Sequence, residues 1–354
     1  MKIYCQYSNN KILTPNRGDF INEIGMLKAL SKFADVYYSG QKFNTLLSGY
    51  GLKKYAGNIE FKITKNCDLY YVRNNKKIFQ YIYNKNFGGK KIWMSSPYDK
   101  WCFLKSNIVA TFTKSWEDML KRGDIFPGLN PDGLKFNNAI SIDQTIDDIF
   151  FPRQSEEITK NIRKEIGGDF IIGHFGRVAE STYPYLLLNS WGDIVEKFPN
   201  LRMITGVTTG KFPSGLKNVV YKNVTHSQMP YYFSACDMAI VSQHGIEWDI
   251  CGNLKVKEPA ACGIPVVLEK SLARCEEYGN DYEMFLPRDS FRKESEQKDF
   301  KLSKNILMER IEFLINNENE RKRIGNDLSN KMKNYSVENS SLKLKSLFNK
   351  LLGI

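Results

Sequence analysis

The chain has 354 residues, with 51 Lys and Arg against 39 Asp and Glu, giving a formal net charge of +12. At this length one hydrophobic core is usually exceeded, so two domains are expected, and 42% hydrophobic residues with no low-complexity block exclude a fibrous or disordered chain. The basic residues are scattered from Lys2 to Lys350 without an arginine-rich helix, which speaks against nucleic acid and leaves peripheral attraction to anionic lipid open.

Taken in chain order, apolar β-branched and aromatic runs alternate with amphipathic stretches, the pattern of βα units around a parallel sheet. Strands are expected near residues 2–5, 35–38, 67–72, 91–94, 108–111 and 139–142, with helices near 18–33 and 114–121 between them. Phe150-Phe151-Pro152 closes this set, and the polar segment 152–168 reads as a linker. A second set of strands is expected near 170–174, 201–205, 219–221, 238–241, 265–268 and 284–286, followed by helices near 302–315, 320–332 and 337–352. The expected division is an N-terminal domain 1–152, a C-terminal domain 153–336, and a final helix 337–354 packing back toward the N-terminal domain. The fold class is α/β, two doubly wound, Rossmann-like domains facing a deep cleft.

No apolar run reaches the roughly 18 residues needed to cross a bilayer, and Met1 to Tyr7 is too short and polar-interrupted for a signal peptide. A cytoplasmic protein is expected, a monomer or weak dimer, peripheral at a membrane if its acceptor is lipid-borne. The seven cysteines fall singly, without CxxC pairs, and only His174, His226 and His244 are available, so no metal centre is expected.

The most informative stretch runs from Gly252 and Asn253 through Leu254-Lys255-Val256-Lys257-Glu258-Pro259-Ala260-Ala261-Cys262-Gly263-Ile264-Pro265-Val266-Val267. It reads as a small-residue turn, a short helix and a buried strand. A helix N-terminus presents unpaired N–H groups and a positive dipole end, so Lys255 there makes an anion site, and Glu258 one turn on can accept from ribose hydroxyls. The alternative is a solvated pair on an ordinary surface helix. A second cluster, Ile171-Ile172-Gly173-His174-Phe175-Gly176-Arg177, carries an apolar strand into a turn; its glycines allow close backbone approach and Arg177 suits a diphosphate, the alternative being an ordinary surface Arg after a strand. His244 shares a loop with Glu247 and Asp249 beside this region. His174 reads as a packed strand-end residue and His226 as the cap of the next helix.

These residues resemble the GT-B glycosyltransferases of the large retaining family 4. Gly176-Arg177-Val178 resembles the family's G-R-L turn, and Asn223 to Asp237 its short helix ending in Asp. Lys255 to Val267 resembles its K-x-x-E-x-x-A-x-G-x-P-V block, and Asn138 to Pro152 its inter-domain passage ending in F-x-P. The resemblance implies that Arg177 and Lys255 hold the donor diphosphate as the catalytic pair, and that Glu258 binds the ribose. Gly18, Gly176, Val224, His244, Asp249, Gly252, Asn253 and Leu254 complete the implied donor site, with Tyr98 and Asp99 for acceptor hydroxyls. Two positions depart from the family pattern. Its further Lys falls on Thr182 and its first, sugar-reading Glu on Ile250, for which Asp249 or Glu247 is the candidate replacement.

The resemblance therefore implies transfer of a hexose, with retained configuration, from a nucleotide diphosphate-sugar to a hydroxyl of a glycan or lipid-linked acceptor. GDP-mannose is the expected donor by its frequency in the family, ahead of uridine sugars. Fixed cations stabilise the leaving diphosphate in this scheme, no cofactor is required, and no D-x-D motif follows a strand. A nucleotide-sugar 2-epimerase of the same architecture and a non-catalytic nucleotide-sugar or glycan-binding protein are the rival readings, and nucleic-acid binding is the weakest.

Overall fold

The computed structural model describes residues 1–7, 18–38, 59–60, 64–73, 75–94, 98–127, 129–151, 156–176, 178–207, 211–244 and 249–354. The first half gives β1 (Lys2–Tyr7), α1 (Gly18–Leu30), β2 (Asp35–Tyr38), β3 (Ile59–Glu60), β4 (Leu69–Arg73), α2 (Lys76–Asn84), β5 (Lys90–Met94), α3 (Lys100–Lys105), β6 (Ile108–Thr111), α4 (Lys114–Arg122) and β7 (Ala139–Ser141). The second gives α5 (Glu156–Ile166), β8 (Phe170–Gly176), α6 (Tyr185–Lys197), β9 (Leu201–Val207), β10 (Val219–Tyr221), α7 (Met229–Ala235), β11 (Met238–Val241), α8 (Leu254–Ala261), β12 (Val266–Glu269), α9 (Leu272–Tyr278), β13 (Phe285–Leu286), α10 (Phe300–Asn316), α11 (Glu318–Met332) and α12 (Val337–Leu352). Segment 152–168, expected as linker, instead holds α5. Its charged sequence hides an amphipathic helix that buries little beyond Ile166.

The chain divides into two compact units, Met1–Asp147 with Ile250–Gly252 and Tyr335–Ile354, and Asp148–Asp249 with Asn253–Asn334. Among the described residues unit 1 carries a seven-stranded sheet in the order β3-β2-β1-β4-β5-β6-β7, and unit 2 a six-stranded sheet in the order β10-β9-β8-β11-β12-β13. Every pair is parallel. Strands β4, β6, β11 and β12 are buried along their whole length, because helices cover both faces of such sheets and remove the usual alternation. The strand order reverses between β1 and β4, and again between β8 and β11; ligand crevices of doubly wound sheets open at the carboxyl ends of such strands.

In unit 1, α12 packs on α1, with the Phe33 and Phe348 rings 6.5 Å apart and Lys32 paired to Glu338. Lys28 of α1 places Nζ 2.7 Å from both carboxylate oxygens of Asp147, and the two side chains are 3% and 1% exposed. Losing one partner of such a pair strands a buried charge, at a cost of about 3–5 kcal/mol.

Unit 2 fixes α8 from behind. Ser329 of α11 donates to the Ala261 carbonyl at 2.9 Å, satisfying one of the open carbonyls at the end of α8. Gly325 of α11 lies so close to the turn after α8 that a Cβ there would stand 2.0 Å from the Gly263 oxygen. At the end of β12 the buried Glu269 carboxylate accepts from the backbone N–H groups of Asp289, at 3.1 Å, and Phe291. Burial raises its pKa from the ordinary 4.5 to about 8, more than those two N–H donors lower it. Among the described residues no helix is long and apolar enough to cross a membrane.

Two outcomes are expected. Gly325→Ala forces α11 away from Gly263, so the thermal unfolding midpoint should fall by the equivalent of about 1–3 kcal/mol, the usual cost of overpacking. Between 4.5 and about 8 the folded protein keeps a Glu269 proton that the unfolded chain has released, so this contribution to stability is complete below 4.5 and lost as pH rises through about 8. Unfolding midpoints measured across that range should decline in the wild type, with the decline reduced in Glu269→Gln.

Candidate functional site

The site in unit 2 is built around the start of α8. Asn253 is its N-cap, its side-chain oxygen accepting from the Lys255 N–H at 2.8 Å, and Leu254 is buried beneath the first turn. The Lys255 side chain lies across Gly176, the last residue of β8. A Cβ on Gly176 would come within 3.1 Å of Lys255 Cε and 3.5 Å of Nζ, and the residue's φ of +117° is one that other residues rarely adopt. A glycine is thus required for the lysine to reach the carboxyl end of the switch-point strand. Gly173, expected to open the backbone to a ligand, instead packs under α7, where a Cβ would meet Cys236 Sγ at 2.9 Å.

Strands β8 and β11 are tied just below this point. His174 Nε2 and Ser242 Oγ are 3.0 Å apart, and Ser242 Oγ donates to the Thr182 carbonyl at 2.8 Å. Burial first, and the Lys255 charge second, push the His174 pKa well below its ordinary value, so the ring stays neutral beside the lysine. Thr182, in the place of the family's further Lys, is buried and uses its hydroxyl to accept from the Ala179 N–H at 3.0 Å.

Helical spacing separates the charges of α8. Residues 255 and 258 share one face, and Glu258 Oε1 lies 3.6 Å from Nε2 of His226, whose ring packs on Phe150 at 5.3 Å. His226 is therefore buried beside Glu258 rather than serving as a cap; the N-cap of α7 is Gln228. Val224, in the same connection, is buried. Lys257 points the other way, 1% exposed, with Nζ 3.2 Å from Glu277. The second oxygen of Glu277 takes Arg274 at 2.7 Å, and Arg274 donates at 2.6 Å to Gln243 in the loop after β11.

Beside this network is a small pocket at the carboxyl ends of β11 and β12, lined among others by Gln243, His244, Asp249, Val256, Glu269 and Arg274. His244 is buried, and its Nε2 has no hydrogen-bond partner among the described residues. Burial lowers its pKa. Asp249 pairs with Arg288, yet burial outweighs that cation and raises its pKa. Among the described residues no cluster of His, Cys, Asp or Glu could hold a metal ion.

The remaining expected residues fall elsewhere. Arg177 and Glu247 lie outside the described residues. Gly18 is the first residue of α1 in unit 1, and Gly252 also groups with unit 1. Tyr98 donates to Asp132 at 2.8 Å, while Asp99 caps α3 by accepting from the Cys102 N–H at 3.0 Å and pairs with Lys76 at 2.9 Å. Ile250 is a core residue of unit 1 whose carbonyl accepts from the Thr113 hydroxyl, so the place of the family's first Glu is closed to solvent. Sequence reasoning missed Glu269, Arg274, Glu277 and the position of His226. A charge ending the buried run Val266-Val267-Leu268 was a usable signal for Glu269; the others depend on long-range packing.

A scan against protein-family models found no match, and a search of curated proteins found none either. Solved structures do match over the whole chain. HepE of Anabaena in complex with UDP-glucose aligns with a TM-score of 0.68 at 14% identity, covering 100% of this chain and 99% of that one. A glycosyltransferase from Rickettsia africae gives 0.70 at 10%, covering 99% and 98%. An α,α-trehalose-6-phosphate synthase from Burkholderia multivorans gives 0.62 at 10%, covering 99% and 98%. At these identities the likeness establishes the architecture: an α/β chain with two Rossmann-like units, the GT-B fold.

Proposed function

We infer that the chain is a glycosyltransferase whose unit 2 binds a nucleotide diphosphate-sugar. The observation that carries this reading is Lys255, in the first turn of the Asn253-capped α8, reaching across Gly176 at the end of the switch-point strand. A diphosphate placed there meets open helix N–H groups, the positive end of the helix and a lysine together. When the bond from the sugar to the β-phosphate oxygen breaks, the electron pair stays on that oxygen. Lys255, with Arg177 and the N–H groups of Gly252, Asn253 and Leu254, stabilises the new charge in the transition state. His174, held neutral, does not oppose the approach of the lysine.

Glu258 accepts from the ribose hydroxyls, with His226 behind it, and Val224 and Gly176 line the nucleotide. The unpartnered Nε2 of His244, together with Asp249, faces the sugar hydroxyls. Gly18 stays a candidate for the donor and Tyr98 and Asp99 for the acceptor, whose glycan or lipid-linked hydroxyl attacks the sugar and passes its proton to the departing phosphate. Retention of configuration rests on the resemblance of the Lys255 to Val267 block. The HepE complexes with UDP and UDP-glucose favour a uridine donor over the GDP-mannose expected from family frequency.

Thermal shift with UDP, GDP and ADP is the direct test, since a ligand at about 100 times its Kd adds about 2.7 kcal/mol of stability. UDP should give the largest shift in the wild type, and Glu258→Ala should abolish most of it. With donor and acceptor supplied, Lys255→Ala should lower turnover on the order of a hundredfold or more, the usual cost of removing a charge-stabilising donor. Absence of any nucleotide shift, or normal turnover and donor affinity in both variants, would defeat the assignment. Conversion of a nucleotide sugar without acceptor would point to the epimerase instead.

A further inference from the structure

Helices α2 and α3 of unit 1 pack side by side and present a surface of unusual composition. The sequence carries no Asp or Glu between Asp68 and Asp99, and Lys77, Lys85 and Lys105 on this surface have no acidic partner among the described residues. The acids that flank it, Asp99 and Asp132, are used by Lys76 at 2.9 Å and Lys100 at 3.4 Å. Large apolar groups stand in solvent in two stripes, Tyr81 (43% exposed) between Lys77 and Lys85 at helical spacing on α2, and Tyr83 (37%) on the side toward Lys105 of α3, where Leu104 is 59% exposed. They are held in place. Tyr83 packs edge-on against Trp101 at 5.4 Å, with Lys105 Nζ 5.7 Å from its ring centre, and Tyr81 packs on Phe87 at 5.8 Å.

We propose that this face of α2 and α3 docks on a bilayer surface carrying anionic headgroups. The charge complementarity is direct: lysine ammonium groups meet phosphate oxygens, while tyrosine rings and an exposed leucine suit the zone between headgroups and acyl chains. The free cations of this face are lysines rather than the arginines that read nucleic-acid bases and phosphates bidentately, and Leu104 has no role on a nucleic acid. The surface belongs to unit 1 and shares no residue with the proposed donor site of unit 2, so its test is independent of that site.

The experiment is flotation of the full chain with vesicles of phosphatidylcholine alone and of phosphatidylcholine mixed with phosphatidylglycerol, at low and high salt. Binding to the mixed vesicles, weakened by salt, is expected, with little binding to phosphatidylcholine. Each basic residue near an anionic surface is worth about 1 kcal/mol, about a fivefold change, so the triple variant Lys77→Gln, Lys85→Gln, Lys105→Gln should partition on the order of a hundredfold less. The corresponding triple Lys→Arg variant should retain binding, and Leu104→Ser with Tyr81→Ser should weaken it at both salt concentrations. The nucleotide thermal shift should be unchanged in all of them. Equal binding to neutral vesicles, full binding by the Gln triple variant, or tighter binding to single-stranded RNA than to mixed vesicles would overturn the proposal.

Discussion

The carboxylate of Glu277 is the constraint on which the geometry of the candidate site depends. It is 4% exposed, and it receives Lys257 from α8 on one oxygen and Arg274 on the other. Through Arg274 and Gln243 the same charge reaches the loop that follows β11 and carries His244. One buried anion therefore sets the roll of the helix and the position of the adjoining loop together. The roll matters because Lys255 and Glu258 face the carboxyl end of the sheet only when Lys257 faces inward. Buried ionic groups of this kind contribute little net stability, yet leaving one unpaired is expensive, which makes the arrangement specific rather than strong.

Electrostatics sorts the two lysines of α8. Lys257 is neutralised within the fold, whereas the charge of Lys255 is felt by His174, whose burial already disfavours a proton. A protonated imidazole at the end of β8 would set a second cation against the lysine from below. Keeping it neutral, and joined to Ser242, adds no charge beneath the lysine and lets the strand ends stay closely packed.

Much of this fold can be read along the chain, because strands buried on both faces leave unbroken apolar runs such as Met238 to Val241 and Val266 to Leu268. Two kinds of element escape that reading. The short edge strand Ile59–Glu60 is too brief to leave a pattern, and α5 is too polar, burying little but one end. The same division holds at the candidate site. Asn253, Lys255 and Glu258 are legible because cap, cation and acid lie within one helical turn and a half. The partners that orient them, Glu277 for Lys257 and His226 for Glu258, come from other elements, and no local spacing announces them. Ile250 marks the opposite limit: a motif can fix a position while the core of unit 1 has taken its side chain.

The final helix bears on how the molecule is made. Residues 335–354 belong to unit 1, and so does the short segment 250–252, so the first 147 residues do not by themselves contain that unit. On the ribosome the N-terminal sheet emerges first, but Lys32 and Phe33 at the end of α1, which receive Glu338 and Phe348, stay uncovered until the whole of unit 2 has been synthesised. Completion of unit 1 is therefore a late event in the life of the chain. A break or frameshift near the C-terminus would strike the unit encoded first.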